Sequence, residues 1–111
     1  MDIFCVSVNI PDEFADILMS SLNEIIAPVY PNYDMTFTIL KVMGTWRPLE
    51  GSKPYDGDIG VITTARETRI EFPVTEHDLP RVVGKIVDIH PYEEPAILIT
   101  PMLDWKKFID L

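Results

Sequence analysis

The chain has 111 residues, a length typical of one domain that buries about two thirds of its unfolded surface. Acidic residues outnumber basic ones by 18 to 9, and the basic residues are spread along the chain, so a nucleic-acid partner is disfavoured. No apolar run approaches the roughly 20 residues of a membrane helix, and the first residues lack the basic segment of a secretory signal. We therefore expect a cytoplasmic protein in which the single cysteine, Cys5, is a small apolar core residue.

The first two predicted elements are a strand and a helix. Apolar residues occupy both faces of residues 2–8, which predicts a strand in the centre of a sheet. Pro11 then stands where a helix can begin, and apolar residues follow at spacings of three and four until Pro28. One face of this helix is expected to cover the sheet.

The next part of the chain is rich in β-forming residues. A long strand is predicted over residues 35–45. The connection at residues 46–57 has about a dozen residues, a length that favours a functional or assembly role over simple linkage. Two short strands, at residues 58–65 and 67–74, are predicted to form a hairpin that turns near Arg66.

The second predicted helix leads into the most distinctive motif of the chain. The helix ends at Ile89, and Thr75 is predicted to cap its start with Asp78 as a capping-box acid. Residues 90–95 read His-Pro-Tyr-Glu-Glu-Pro, and each proline restricts its own φ and disfavours helix at the preceding residue. This 90–95 motif is therefore a stiff corner, after which residues 96–100 are predicted to form a buried strand.

The order strand, helix, strand, strand, helix, strand contains two similar halves, each a strand that leads into a helix begun by acidic residues. Right-handed crossovers in both halves give the α+β class: a ferredoxin-like βαββαβ sandwich, an antiparallel sheet with two helices on one face. Residues 1–111 are thus expected to form a single domain. Residues 102–111 are expected to be a short C-terminal extension with helical spacing of its apolar residues.

Two motifs in this order carry a family resemblance. Residues 44–60 read Gly-Thr-Trp-Arg-Pro-Leu-Glu-Gly-Ser-Lys-Pro-Tyr-Asp-Gly-Asp-Ile-Gly, and they are followed by Arg-Ile-Glu at residues 69–71 and by the 90–95 motif. These residues resemble the PII-like and CutA-like domain of YqfO-type proteins in the Nif-three-like family, a domain that also occurs as a small stand-alone protein. The resemblance extends over about residues 3–103.

The resemblance implies a ferredoxin-like fold and a homo-oligomer, a trimer in PII and CutA proteins. It also implies that residues 46–57 hold the position of the PII loop that contacts ligands and partner proteins. The dinuclear metal site of the larger Nif-three-like proteins belongs to a separate domain with no counterpart in this chain, so their hydrolase activity is not carried over. Residues 27–31, Ala-Pro-Val-Tyr-Pro, replace a glycine-rich turn of the relatives, which puts any ligand role of that turn in doubt.

The 90–95 motif suggests a divalent-metal site, because imidazole and carboxylate groups suit zinc, manganese or iron. The candidate ligands are His90, Glu93 and Glu94, and a further ligand would have to come from elsewhere. The alternative is structural: His90 hydrogen bonds to carbonyl groups while the prolines shape a rigid turn and Tyr92 packs. His77 is interpreted as a surface residue.

The connection at residues 46–57 suggests a ligand pocket with an aromatic face and charged groups suited to an anion. The candidate ligand-binding residues are Trp46, Arg47, Glu50 and Lys53. The alternative is that Trp46 packs on a neighbouring subunit and Arg47 pairs with an acid.

No nucleotide-binding, copper-binding or nucleophile motif is present in the sequence. The hypothesis is therefore a non-enzymatic PII-like oligomer that senses a small ligand or metal or regulates a protein partner. The alternative is a divalent-metal-binding protein or metal-dependent enzyme centred on the 90–95 motif.

Overall fold

The computed structural model describes residues 2–109, which form six regular elements and three short 3-10 turns. The regular elements are β1 (Ile3–Pro11), α1 (Ala15–Asn23), β2 (Thr38–Trp46), β3 (Thr63–Thr75), α2 (Leu79–Ile89) and β4 (Ile97–Met102). The 3-10 turns are Asp12–Phe14, Glu76–Asp78 and Trp105–Phe108. No helix in this part of the chain is long and apolar enough to cross a membrane.

The four strands form one antiparallel sheet in the order β2-β3-β1-β4, so β1 is central, as its apolar faces predict. Both helices pack on the same face of the sheet, where their apolar side chains share one core with β1 and β3. The core consists of Val6, Val8, Ile10, Ala15, Leu18, Met19, Leu22, Ile70, Phe72, Val74, Val82 and Ile86. The predicted ferredoxin-like α+β fold is confirmed.

The prediction of a hairpin turning near Arg66 is wrong. Residues 63–75 are one strand, in which Arg66 pairs with Met43 of β2. The hairpin is formed by β2 and β3, and residues 47–62 connect them. The positive-φ glycines Gly51, Gly57 and Gly60 lie in this connection, so the residues able to turn the chain are there and not at Arg66.

Three further expectations differ from the structure. The last strand is not buried: Leu98 is 56% exposed and Ile99 is 41% exposed, because β4 is an edge strand that the helices cover only in part. Cys5 is half-buried on the sheet face opposite the helices, since it alternates with the core residue Val6. The strand predicted from Met35 begins three residues later, at Thr38, and Met35 itself has a positive φ of 52°.

Asp78, the acid at the start of the second helix, does not form the predicted capping box with Thr75. Thr75 precedes the 3-10 turn without a side-chain capping bond. The buried Asp78 carboxylate instead accepts a hydrogen bond from the backbone N–H of Ala27 at 2.9 Å and pairs with Arg81. Asp78 thus joins the segment that follows α1 to the start of α2.

The end of α2 agrees with the prediction. His90 follows α2 with an extended backbone, φ −65° and ψ 128°, as expected of a residue before proline. In the C-terminal extension Trp105–Phe108 form a 3-10 turn, and Asp104 accepts a hydrogen bond from the Lys106 N–H at its start. The last two residues of the extension lie outside the described residues.

The geometry that positions the candidate site is the unequal length of the strands. Pro11, the last residue of β1, pairs with Glu67. Residues 63–66 of β3 therefore pair with β2 alone and extend beyond the four-stranded sheet as a two-stranded ribbon. The 47–62 connection is carried at the end of this ribbon.

Candidate functional site

The 47–62 connection folds back from the ribbon and contacts the 90–95 motif. The backbone N–H of Lys53 donates to the Glu93 carboxylate, with distances of 3.2 and 3.3 Å to its two oxygens. The indole N–H of Trp46 donates to the backbone carbonyl of Asp56 at 3.0 Å, which holds the connection against the end of β2. The two motifs that carried the family resemblance thus form one site.

The corner of the 90–95 motif is held by the imidazole of His90. This side chain is only 6% exposed, and its Nε2 lies 2.6 Å from the carbonyl oxygen of Asn9. Because a carbonyl can only accept, Nε2 carries the hydrogen, while Nδ1 accepts from the backbone N–H of Tyr92 at 3.2 Å. Burial lowers the pKa of His90, although the Asn9 carbonyl and the charge of Glu67 act in the opposite direction.

Tyr92 is the centre of an aromatic cluster. Its ring centroid lies 5.4 Å from that of Trp46, 5.9 Å from that of Tyr55 and 4.8 Å from that of His90. Its hydroxyl donates to Oε2 of Glu67 at 2.7 Å. Burial, together with the Glu67 carboxylate, raises the pKa of Tyr92, so the phenol remains a hydrogen-bond donor throughout the physiological range.

Glu67 lies on the sheet face opposite the helices and is only 4% exposed. It alternates with Thr68, whose hydroxyl lies on the helix side and donates to Asp12. Gly44 of β2 lies beside it, and a Cβ atom added at Gly44 would overlap Oε1 of Glu67. The missing side chain of Gly44 therefore provides the space that the carboxylate occupies.

These groups surround a cavity of about 610 Å³ between the ribbon, the 47–62 connection and the 90–95 motif. A volume of a few hundred Å³ is typical of small-ligand sites. The aromatic side chains in its lining are Trp46, Tyr55 and Tyr92. The charged side chains in its lining are Arg47, Asp56, Glu67, Glu93 and Glu94.

The structure brings together only some of the residues proposed for ligand binding. Trp46 and Arg47 line the cavity. Glu50 and Lys53 are exposed residues of the connection and are not in the lining, although the backbone of Lys53 contacts Glu93. The role of the four residues in binding a ligand stays a prediction.

The residues proposed for metal binding are also separated. Glu93 and Glu94 are exposed in the cavity wall, whereas His90 lies behind Tyr92 with both ring nitrogens already hydrogen bonded. Within residues 2–109, no group of three or more His, Cys, Asp or Glu side chains is placed to hold a metal ion. The arrangement does not fit a metal site formed by this chain alone, and metal binding stays a prediction.

Sequence reasoning missed the buried acid of the site. The sequence predicts Glu67 at the start of a short strand, and nothing in its local sequence distinguishes it from Glu71, four residues further on. What distinguishes it is tertiary: Glu67 meets Gly44 on β2 and Tyr92 in the motif. The sequence suggested only a packing role for Tyr92, although its position between two prolines could have identified it as a residue of the site.

Comparison with known proteins places these features in a family. No protein-family model matches the chain. A protein named GTP cyclohydrolase 1 type 2 homolog, from Halalkalibacterium halodurans, is 34% identical over 95 residues, which are 86% of this chain. The chain spans only about a quarter of the length of the curated relatives it matches, 26% in this case.

Two solved structures resemble the fold. A Bacillus cereus protein related to NIF3 superposes on 93% of this chain with a TM-score of 0.80 and 26% identity, and the match covers 26% of that protein. The divalent ion tolerance protein CutA1 from Ehrlichia chaffeensis superposes on 97% of this chain with a TM-score of 0.68 and 24% identity, and the match covers 89% of that protein. The chain belongs to the PII-like, CutA-like domain family of the YqfO-type, Nif-three-like proteins.

Proposed function

We propose that this chain is a non-enzymatic PII-like module that binds a small ligand in the cavity between the 47–62 connection and the 90–95 motif. Ligand binding would change the position of the connection, which the module presents to a protein partner. One observation carries the proposal: two segments about 40 residues apart in sequence enclose a cavity of about 610 Å³ with three aromatic walls.

The contacts between the two segments support a role in signalling. Lys53 is joined to Glu93 by its backbone N–H, and Trp46 contacts Tyr92 through their rings. The Lys53–Glu93 contact lies at an exposed position, so a ligand in the cavity can alter it at small cost in free energy. A change in the connection would then follow from occupancy of the cavity.

The chemistry of the site supports a binding role over catalysis. His90, the residue best suited to acid–base chemistry, donates to a carbonyl and accepts from an amide. Cys5 lies on the sheet at residue pairs with Pro73 and Thr100, distant in register from the cavity. The enzymatic name of the relatives belongs to longer proteins, of which the match covers only 26% in the Halalkalibacterium halodurans case.

Assembly with further copies is the second part of the proposal. β2 and β4 are both edge strands, and Leu40 and Leu98 expose apolar side chains on the sheet face opposite the helices. Exposed apolar edge strands are normally covered, often by another chain. A homo-oligomer formed through the sheets, a trimer by analogy with PII and CutA proteins, would cover them.

A binding screen tests the proposal with two matched tryptophan variants. Trp46 lines the cavity, whereas Trp105 is 55% exposed in the C-terminal extension. Compounds that stabilise the wild-type protein in thermal unfolding should lose their effect in Trp46→Ala and keep it in Trp105→Ala. If Trp46→Ala responds as the wild type does to every compound, the assignment of the cavity is wrong.

A further inference from the structure

We infer that the ligand of this cavity is a small organic cation that carries N–H donors, an alkylammonium or guanidinium compound, and that Glu67 binds the cationic group. The inference rests on the proposed function and adds the chemical class of the ligand. The hydrogen bonding of Glu67, the balance of charge in the lining and the aromatic walls support it.

The carboxylate of Glu67 can accept a further hydrogen bond. Among residues 2–109, its Oε2 accepts from the Tyr92 hydroxyl. The other oxygen, Oε1, lies beside the bare Cα of Gly44, which offers no polar group. Glu67 is 4% exposed, yet no fully buried side-chain oxygen among the described residues lacks a hydrogen-bond partner, so Oε1 still reaches the cavity. A cation there would compensate for the hydration that this charge loses on burial.

The charges in the lining favour a cation over an anion. Four carboxylates, those of Asp56, Glu67, Glu93 and Glu94, face one guanidinium, that of Arg47. The net charge of the whole chain is −9, so the surrounding field has the same sign. An anionic ligand, which the connection alone suggested, would be repelled by most of the lining.

The aromatic walls provide the remaining part of a cation site. The ring centroids of Trp46 and Tyr55 lie 5.4 and 5.9 Å from that of Tyr92, and both pairs are tilted. An ammonium or guanidinium group over such rings is attracted by the negative charge of the ring faces. The walls would hold the apolar part of the ligand, while Glu67 accepts its N–H donors.

The experiment measures binding of defined probes to the full chain by isothermal titration calorimetry. The cationic probes with N–H donors are agmatine and spermidine, the cation without donors is tetramethylammonium, and the anionic probes are citrate and ATP. We expect agmatine or spermidine to bind in preference to tetramethylammonium and to both anions. Glu67→Gln should weaken that binding by about tenfold or more, because it removes the charge of a buried acceptor.

Glu71→Gln is the matched control. Glu71 is on the same strand and the same sheet face as Glu67 but does not line the cavity, so this variant should bind as the wild type does. If Glu67→Gln does not fold, as judged by thermal unfolding, Glu93→Gln combined with Glu94→Gln takes its place. Both of these residues are exposed, and the pair should also weaken binding.

The possible results separate the two proposals. If an anion binds and Trp46→Ala abolishes the binding, the cationic ligand class is wrong and the proposed function stands. If no probe binds, or if binding does not depend on Trp46, both are overturned. Equal affinity for agmatine and tetramethylammonium, or a side chain of a neighbouring copy filling the cavity in a crystal structure, would overturn the role of Glu67.

Discussion

The hydroxyl of Tyr92 donates to Oε2 of Glu67 at 2.7 Å and so joins the corner before the last strand to β3, an inner strand of the sheet. Burial and the nearby carboxylate raise the pKa of Tyr92, which keeps this hydroxyl protonated. A hydrogen bond to a charged, buried acceptor contributes about 1.5–3 kcal/mol to stability. The bond therefore fixes both the corner and the carboxylate that lines the cavity.

The first prediction removes this bond. Tyr92→Phe keeps the ring contacts but leaves the buried Glu67 carboxylate without its donor, so we expect a loss of about 1–3 kcal/mol in the free energy of unfolding. Denaturant unfolding measures the change. Tyr33→Phe is the control, since Tyr33 is 69% exposed, and it should change stability by less than about 0.5 kcal/mol. Equal effects of the two variants would contradict the importance of the bond.

The second prediction compares two glycines that should respond with opposite signs. Gly44→Ala places a methyl group where Oε1 of Glu67 lies, so the carboxylate must move and its bond to Tyr92 must weaken. We expect Gly44→Ala to lose about 1–2 kcal/mol of stability. Gly84→Ala, in α2 with open space around it, should gain about 0.5–1 kcal/mol, because alanine favours helix. Stabilisation by Gly44→Ala would show that Glu67 is free to move.

The third prediction concerns pH. Burial lowers the pKa of His90 in the folded protein below its ordinary value of 6.5. The unfolded chain therefore binds the proton more readily than the folded protein does. The contribution of His90 to the free energy of unfolding is complete above about pH 6.5 and falls as the pH decreases below that value. Protonation would also place a hydrogen on Nδ1, against the N–H of Tyr92.

The two histidines provide the variant and its control for this effect. His90→Gln should reduce the dependence of unfolding free energy on pH between 7 and 5, a window set by the lowered pKa. His77→Gln should leave the dependence unchanged, because His77 is exposed. A wild-type protein whose stability rises as the pH falls through this window would contradict the sign of the prediction.

The fourth prediction tests the metal hypothesis. Because both ring nitrogens of His90 are hydrogen bonded within the chain, we expect the metal content of the wild type and of His90→Ala to be equal. Protein purified without chelator is analysed by inductively coupled plasma mass spectrometry. Stoichiometric zinc, manganese or iron in the wild type that is lost in His90→Ala would establish the metal site instead.

The fifth prediction concerns assembly. Leu98 is 56% exposed on edge strand β4, on the sheet face opposite the helices. Leu98→Glu should lower the molar mass measured by light scattering after size-exclusion chromatography, because a charge would be buried at the proposed interface. Ile17→Glu, at an equally exposed apolar position on α1, should leave the mass unchanged. If the wild-type protein is a monomer in this measurement, the assembly proposal is wrong.

The regular elements of the fold are largely encoded in local patterns. The paired apolar faces of β1, the helical spacing that ends at Ile89 and the proline corner after it are all visible in the sequence. Each depends on interactions between near neighbours, which constrain φ and the direction of side chains. The prediction of a hairpin at Arg66 failed because β3 is longer than a typical strand. Only the pairing of β3 with β2 extends the strand across that residue.

The sequence by itself determined the class of the fold, the two motifs and the rigid corner, since proline chemistry and apolar periodicity act over a few residues. The tertiary structure decided which residues form the cavity. It placed the buried acid Glu67 between Gly44 and Tyr92 and left Glu50 and Lys53 outside the lining. The physical reason is that the burial of a carboxylate and the enclosure of a cavity depend on strand register and on contacts between distant segments, which no local pattern specifies.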